Sequence, residues 1–439
     1  MAEKENNHYV PRLILRKFDE RVSIYNIESC ELKLNQKLEK VFASKKLYTE
    51  EIETMFSDKV ENEFARVLNN KILSAEDECI LTRKEVNLIK KFLVLAMLRT
   101  MESEYFTQTK ANKSRETVKI NYKFVEKPEI SSLSSFEYWM QTLKCILESR
   151  SPFDVQKNDN ATAIAVYWSN VFMSGYIAIW DSAESNEDFV IMDQGMTSEH
   201  EKTRFLPPFN NDMIKRGYLI EKTFNSKNPT STMETNLWLK YTQLALANDG
   251  FSENMYLFTI SKNRMIAFIN PFFRLYDTED WKDYDTPEIP DIWTTSFQDI
   301  RLFQKNKNEY IDPIKSKSGI HNDEDTFIYQ VHSMNLDDVI YVNCLVLDRV
   351  QKFLGFSESS GIRRSLITYS CIPRALNNYS SLLVHLTSLG YEVSKTKRTH
   401  DLATKFSINN VNFTESEKKY IKNYLELKSL SEKLKNRDN

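Results

Sequence analysis

Residues 6–18 have the sequence Asn-Asn-His-Tyr-Val-Pro-Arg-Leu-Ile-Leu-Arg-Lys-Phe. His8 is suited to general acid/base chemistry, and Arg12 is suited to binding a phosphate or an oxyanion. The alternative is a structural clasp. In a clasp Pro11 stiffens the segment, both polar side chains hydrogen-bond to backbone carbonyls, and the apolar stripe that ends at Phe18 docks into the core. One histidine and one arginine are half a site at most, so we favour the clasp.

Length and composition predict a soluble protein. The chain has 439 residues, of which 41% are hydrophobic and 28% are charged, an ordinary balance for globular proteins. The longest apolar run, Phe92–Leu98, is too short to span a bilayer. The first residues lack the apolar core of a secretory signal. The 5 cysteines are dispersed, as in a cytosolic protein with reduced thiols. We therefore expect a cytoplasmic protein with no membrane partner.

Glycine content and motif spacing exclude several common enzyme classes. Only 8 glycines occur, and neither a Walker phosphate loop nor a dinucleotide-binding fingerprint is present in the sequence. No cysteine–histidine cluster has zinc spacing, and no nucleophile elbow occurs. The formal net charge of −3 gives no overall attraction to nucleic acid, so binding of that kind requires a local patch.

Hydrophobic periodicity predicts an α+β fold. We expect a mainly helical N-terminal region over residues 1–155, which carries the His-Tyr-Val-Pro motif. A mostly antiparallel central sheet with helices follows over 156–355, and a helical C-terminal region over 356–439. The C-terminal region includes a capping box that opens at Thr414.

Particular elements follow from local patterns. The strand predictions are 22–26 and 32–35, and two hairpins are predicted at 176–180 with 189–192 and at 256–260 with 265–269. The helix predictions are a helix from about residue 58, one that opens with a capping box at Thr82, one over 136–147, one over 235–246, and one capped by Asn335.

The opening segment identifies a family resemblance. His8-Tyr-Val-Pro-Arg12 followed by Leu15-Arg-Lys-Phe18 resembles the opening motif of the bacterial domain-of-unknown-function family 4238. Looser landmarks extend the resemblance to roughly residues 6–355, namely the strand that ends in Asp193, the strand over 265–269, and Asn343 in the late helix. In this chain Gln194 and Gly195 stand where the family has Asn and Pro after that aspartate.

The resemblance implies a role by association. Similar proteins occur in mobile elements and anti-phage defence islands of bacteria, so we expect an abortive-infection type of defence effector. If it is an enzyme, we expect a hydrolase or nuclease that acts on nucleic acid. The alternative is a non-catalytic sensor or interaction module that recognises a phage component through the acidic, aromatic stretch at 277–301.

The candidate catalytic residues are His8, Arg12, Asp193 and Glu61. Asp193 ends an apolar strand and is expected to pair with His8 or Glu61, or else to form a turn with its own downstream backbone. Asn343 is expected to tie the late helix to residues 6–18 or, as the weaker alternative, to line a site.

A divalent metal such as Mg²⁺ is the one cofactor that the sequence suggests. Asp19 precedes Glu31-Leu-Lys33 by 12 residues, which is the skeleton of a metal-dependent nuclease site. Such spacings arise by chance in a chain with 28% charged residues, so no metal ligands are assigned. The cysteines lack flanking nucleophile signatures, and buried, unreactive thiols are the favoured interpretation.

Overall fold

A computed structural model describes residues 6–45, 47–99, 127–200, 253–269, 300–311, 322–357 and 360–370. The predicted helix at 235–246, the capping box at Thr414 and the 277–299 part of the acidic stretch lie outside these ranges.

The described elements occur in runs of helices and runs of strands along the chain. The helices are α1 (Arg12–Leu15), α2 (Glu50–Phe56), α3 (Asn62–Val67), α4 (Arg83–Leu98), α5 (Pro128–Ser131), α6 (Ser135–Glu148), α7 (Pro152–Val155), α8 (Ala163–Ser174), α9 (Leu336–Arg349) and α10 (Arg363–Ser370). The strands up to the middle of the chain are β1 (Asn6–His8), β2 (Arg21–Asn26), β3 (Glu31–Lys37), β4 (Ala43–Lys45), β5 (Glu78–Thr82), β6 (Tyr176–Asp181), β7 (Ile191–Met192) and β8 (Thr197–His200). The later strands are β9 (Glu253–Thr259), β10 (Arg264–Ile269), β11 (Arg301–Gln304), β12 (Glu309–Ile311), β13 (Thr326–Ser333) and β14 (Phe353–Phe356).

The strands form two sheets and a ribbon. The larger sheet has the order β12-β11-β13-β6-β10-β9-β8, with β5 also paired to β13, and the smaller sheet has the order β3-β2-β14-β7. Strands β1 and β4 form a separate two-stranded ribbon. The described pairings are antiparallel except for β13 with β6. The fold is therefore α+β with mostly antiparallel sheets, as the sequence predicts.

The larger sheet carries a helical layer of α4, α6 and α8. Aromatic contacts join this layer to the sheet, since the Phe172 ring stacks on Phe268 at 4.4 Å and the Trp168 ring meets Tyr256 edge-on at 5.8 Å. Gly175 lies between α8 and β6 beneath the Phe268 ring. A Cβ at this position would lie 2.0 Å from Cζ of that ring. Only glycine fits this position without displacing Phe268.

A second core lies on the smaller sheet. Helices α9 and α10 cover it, and Cys344, Leu347 and Tyr369 pack there against strand residues such as Leu354 and Phe356. The predicted division of the chain at 155 and 355 stays a prediction. Strand pairings cross both positions, because β5 pairs with β13 and β2 pairs with β14.

Two consecutive lysines of α4 hydrogen-bond to the carbonyls at the C-terminal ends of two other helices. The amino group of Lys90 donates to the carbonyls of Met173 and Gly175 at the end of α8. That of Lys91 donates to the carbonyls of Leu147 and Ser149 at the end of α6. Burial lowers the pKa of Lys90 to about 7 and that of Lys91 to about 8. The last carbonyls of a helix have no partner within the helix, so these contacts satisfy groups that would otherwise be buried unpaired.

Several predicted elements are confirmed. Strands β2 and β3, the hairpin of β9 with β10, and the Asn335 cap of α9 are present as expected. The capping box at Thr82 is also present: its hydroxyl accepts from the Glu85 amide, and the Glu85 carboxylate accepts from the Thr82 amide.

Other predicted elements are wrong. The pieces at 176–180 and 189–192 do not form a hairpin with each other, because β6 pairs with β10 and β13 in the larger sheet while β7 pairs with β14 in the smaller one. Helix α8 was not expected, since the sequence at 163–174 is apolar on nearly every side and shows no one-sided stripe. The helix expected from residue 58 begins earlier, at Glu50, where the Thr49 hydroxyl caps it.

No helix within the described ranges is long and apolar enough to cross a membrane.

Replacing Lys91 by Met tests the cap that α4 provides. The variant keeps an apolar stem of similar length but leaves the carbonyls of Leu147 and Ser149 without their donor, so we expect a loss of about 1–3 kcal/mol in the free energy of unfolding. Lys84→Met on the same helix is the matched control, because the Lys84 side chain is 66% exposed and its ion pair among the described residues is with the partly exposed Glu63. Urea denaturation measures both, and equal stabilities would contradict the proposed role of Lys91.

Candidate functional site

The His-Tyr-Val-Pro segment begins in strand β1 of the two-stranded ribbon and leads into helix α1. His8 lies opposite Ala43, and the Tyr9 amide donates to the Phe42 carbonyl at 3.0 Å. Leu15 and Phe18 are buried in the main core, at 0% and 2% exposure. The docking of the apolar stripe into the core, which the clasp interpretation predicts, is therefore present.

The His8 imidazole is held in one orientation. Its Nδ1 lies 3.1 Å from the Val41 carbonyl oxygen. A carbonyl only accepts hydrogen bonds, so Nδ1 carries the proton in this contact and Nε2 keeps its lone pair. Burial lowers the pKa of His8, and the nearby positive charges of Arg12 and Arg99 lower it further. The Val41 contact and Glu39 act in the opposite direction without reversing the shift. The imidazole is therefore neutral at pH 7, with the basic nitrogen at Nε2.

Arg12 lies beside His8 and is partly exposed. Its Nη2 donates to the Glu39 carboxylate at 2.9 Å, with side-chain exposures of 40% for Arg12 and 60% for Glu39. A backbone carbonyl was the partner expected for Arg12 in a clasp, and the described partner is instead this carboxylate. The Nε of Arg12 is buried without a hydrogen-bond partner among the described residues. The guanidinium therefore has donor capacity that its ion pair does not use.

Glu61 is paired with a buried arginine. A π-helical turn at Ser57–Glu61 continues α2, and it ends with Glu61 against Nη2 of Arg99. The Arg99 guanidinium also lies 3.9 Å from the centre of the Phe56 ring, and its side chain is 4% exposed. Burial opposes the charge of Arg99, but the Glu61 carboxylate outweighs it, so the pKa of Arg99 is raised. The Tyr48 hydroxyl donates to the Arg99 carbonyl at 2.5 Å.

These contacts define the His8 cluster, which consists of His8, Arg12, Glu39, Glu61 and Arg99. Arg99 connects its members, since it pairs with Glu61 and its charge acts on His8. Three of the residues predicted to form a site, His8, Arg12 and Glu61, thus belong to one electrostatic cluster. Sequence reasoning missed Arg99 and Glu39. The signal for Arg99 was a charged residue directly after the apolar run 92–98, while nothing in the sequence marked Glu39.

Asp193 lies on the smaller sheet, directly after β7. Its carboxylate accepts from the backbone amides of Gln351, Lys352 and Phe353, at 3.4, 2.7 and 3.1 Å. Its own amide donates to the Phe353 carbonyl at 3.1 Å. These contacts fix the chain that leads from α9 into β14. They differ from the turn with its own downstream backbone that was the structural alternative, and pairing of Asp193 with His8 stays a prediction.

Asn343 is fully buried and joins α9 to two other segments. Its side-chain oxygen accepts from the Val190 amide at 3.2 Å, and its amino group donates to the Asp188 carbonyl at 2.8 Å and to the Ser365 hydroxyl at 3.0 Å. The expected architectural role is therefore confirmed, but the expected partner is wrong. Asn343 ties the helix to residues 188–190 and to α10 rather than to residues 6–18.

The residues that suggested a metal-dependent nuclease lie on an exposed strand. Glu31 and Lys33 pair with each other at 3.3 Å on β3, which is at the edge of the smaller sheet. Within the part of the chain that the structure describes, no three His, Cys, Asp or Glu side chains are grouped to hold a metal ion.

Three of the described cysteines, Cys79, Cys145 and Cys344, are buried, as expected for unreactive thiols, whereas Cys30 is exposed. Burial raises the pKa of Cys79 to about 12 and that of Cys145 to about 11.

The fold and this cluster define an α+β protein whose N-terminal motif lies on a β-ribbon beside a buried Arg–Glu pair. A family model described as "Protein of unknown function (DUF4238)" matches residues 6–359. The chain therefore belongs to the DUF4238 family. No curated protein and no solved structure matches it.

Removing the charge of Arg12 and removing the charge of Glu39 should shift the pKa of His8 in opposite directions. Arg12→Gln removes a positive charge that lowers the pKa of His8, so we expect the pKa to rise. Glu39→Gln removes a negative charge that raises it, so we expect the pKa to fall. Titration of the imidazole signals by NMR in a chain with 6 histidines measures both shifts. Shifts of the same sign in the two variants would contradict the proposed electrostatics.

Asp193→Asn tests whether this residue is architectural. An asparagine keeps one side-chain acceptor and places an amino group among backbone donors, so we expect a loss of about 1–3 kcal/mol in the free energy of unfolding. Asp58→Asn, at an exposed position, is the control. If Asp193→Asn left the stability unchanged while abolishing activity, the residue would belong to a site instead.

Proposed function

We propose that this protein is a cytoplasmic effector of anti-phage defence that cleaves nucleic acid with the His8 cluster. The observation that carries the proposal is the state of His8. Its imidazole is neutral, its tautomer is set by the Val41 carbonyl, and it lies beside a partly exposed arginine. A neutral imidazole with a defined basic nitrogen is the side chain best suited to remove a proton at pH 7.

The chemistry follows from His8 and Arg12, which are both partly exposed. Nε2 of His8 takes the proton from an attacking hydroxyl or water as that oxygen bonds to the phosphorus atom. Arg12 supports the negative charge that develops on the phosphate oxygens, because its side chain is partly exposed and guanidinium groups match phosphate geometry. The protonated His8 then returns a proton to the leaving oxygen, which completes the cleavage with the imidazole neutral again.

Arg99 and Glu61 support His8 and Arg12 indirectly. Arg99 is too deeply buried to touch a substrate, and its charge instead favours the neutral form of His8. Glu61 holds that arginine in place and compensates its charge inside the protein. We keep a divalent ion such as Mg²⁺ as a cofactor to be tested in the assay, because the His8 cluster contains the carboxylates of Glu39 and Glu61.

The assay compares the wild-type protein with His8→Asn. An asparagine places an amide nitrogen near the position of Nδ1, so the hydrogen bond to Val41 is retained while the base at Nε2 is removed. Purified proteins are incubated with RNA, single-stranded DNA and double-stranded DNA, with a chelator and with Mg²⁺ or Mn²⁺. We expect cleavage by the wild type and a loss of at least about 100-fold in His8→Asn.

A matched pair of arginine variants tests the phosphate contact. Arg12→Gln should weaken cleavage, whereas Arg16→Gln, at the exposed end of the same helix, should leave it unchanged. The defence role is tested by plaque counts on bacteria that carry the wild type or His8→Asn. If no substrate is cleaved under any condition and His8→Asn protects as well as the wild type, the catalytic proposal fails. That result would favour a non-catalytic sensor of a phage component.

A further inference from the structure

A buried glutamate outside the His8 cluster connects the last described helix to the rest of the protein. Glu187 precedes β7 and is 1% exposed. Its Oε1 accepts two hydrogen bonds from one residue of α10, from the Ser365 amide at 2.8 Å and from the Ser365 hydroxyl at 2.7 Å. Two donors on a single oxygen fill both of its acceptor positions.

The second carboxyl oxygen of Glu187 is different. Oε2 is buried and has no hydrogen-bond partner among the described residues. An ionised carboxylate shares its charge between both oxygens, and an unpaired buried oxygen is costly in that form. In the neutral acid, Oε1 is a carbonyl oxygen that keeps both donors and Oε2 carries the proton, so that no charge is buried at this position. The arrangement around Glu187 therefore fits the neutral acid better than the anion.

Ser365 links Glu187 to α9 and to the chain around β7. The Ser365 hydroxyl accepts from the Asn343 side chain, which in turn contacts the Asp188 carbonyl and the Val190 amide. The Asp188 amide also donates to the Gly361 carbonyl at 2.6 Å. A Cβ at Gly361 would lie 2.5 Å from Oδ2 of Asp188, so the chain before α10 approaches Asp188 closely. These contacts hold the start of α10 against the segment before β7.

We propose that the buried Glu187 is a pH-sensitive latch: α10 packs on α9 and β7 while Glu187 is neutral, and ionisation favours release of α10, because only release returns the charge to water. The latch does not depend on the proposed nuclease activity. Its state governs how firmly α10 is attached to the second core.

The charges around Glu187 support a transition near neutral pH. Burial raises the pKa of Glu187 to about 7 from the usual 4.5, while the contacts with Ser365 and the positive charge of Arg364 lower it and the neighbouring Asp188 raises it. The polar group that faces it from α9 is the uncharged Asn343, through Ser365. Between pH 4.5 and about 7 the folded protein holds a proton that the unfolded chain has released. Stability from this group is therefore complete at low pH and is lost as the pH rises to about 7.

Urea denaturation across pH 4.5–8 tests the latch in the full chain. Glu187→Gln imitates the neutral acid, since its carbonyl oxygen can accept from Ser365 and its amino group replaces the protonated Oε2. Relative to this variant, the unfolding equilibrium constant of the wild type should rise by up to about tenfold per pH unit until the pH reaches about 7. Glu184→Gln, at an exposed position three residues before Glu187, should follow the wild type.

Hydrogen exchange locates the effect. After correction for intrinsic exchange rates, amides of residues 363–370 should lose protection in the wild type between pH 6 and 8, and should keep it in Glu187→Gln. Ser365→Ala is the second variant, because removing the hydroxyl donor disfavours the anion and should move the transition to higher pH. Identical pH profiles in the wild type and Glu187→Gln, or a transition in Ser365→Ala at lower pH, would overturn the proposal.

Discussion

The fold depends on the way that α4 satisfies the carbonyl ends of its neighbours. A buried helix end needs donors for its last carbonyls, and α6 and α8 both end inside the protein. Lys90 and Lys91 supply those donors from adjacent positions of one helix. These hydrogen bonds therefore set the positions of α6 and α8 relative to α4. The aromatic residues of α8 in turn pack on the larger sheet and fix its position against the helices.

The same helix connects the sheet to the His8 cluster. At its start, the Thr82 capping box stands directly after β5, which pairs with β13 of the larger sheet. Immediately after its end, Arg99 pairs with Glu61 and contributes to the low pKa of His8. A buried charge is tolerated only when it is paired, so Glu61 holds Arg99 in place, and the charge of Arg99 acts on His8. The N-terminal motif docks its apolar side into the core, while His8 on its polar side feels this charge.

The features that could be predicted from the sequence are those that depend on residues close together in the chain. The Thr82 box, the Asn335 cap and the β9–β10 hairpin depend on residues that lie within a few positions of one another, and each was predictable. Pairing of β6 with β10 and β13 could not be inferred, because the strands are far apart in sequence and several pairings satisfy the same alternation. Helix α8 was missed because burial on all sides removes the periodicity that reveals a helix.

The sequence by itself determined the family, the α+β class, the local caps and the polar residues of the opening motif. Only the tertiary structure decided how those polar residues are used. It paired Glu61 with Arg99, assigned the Asp193 carboxylate to the amides of 351–353, and buried Glu187 against Ser365. The physical reason is that hydrophobic pattern and capping are local properties of the chain. Desolvation and charge pairing depend on which distant segments meet, and these set the protonation of the buried groups.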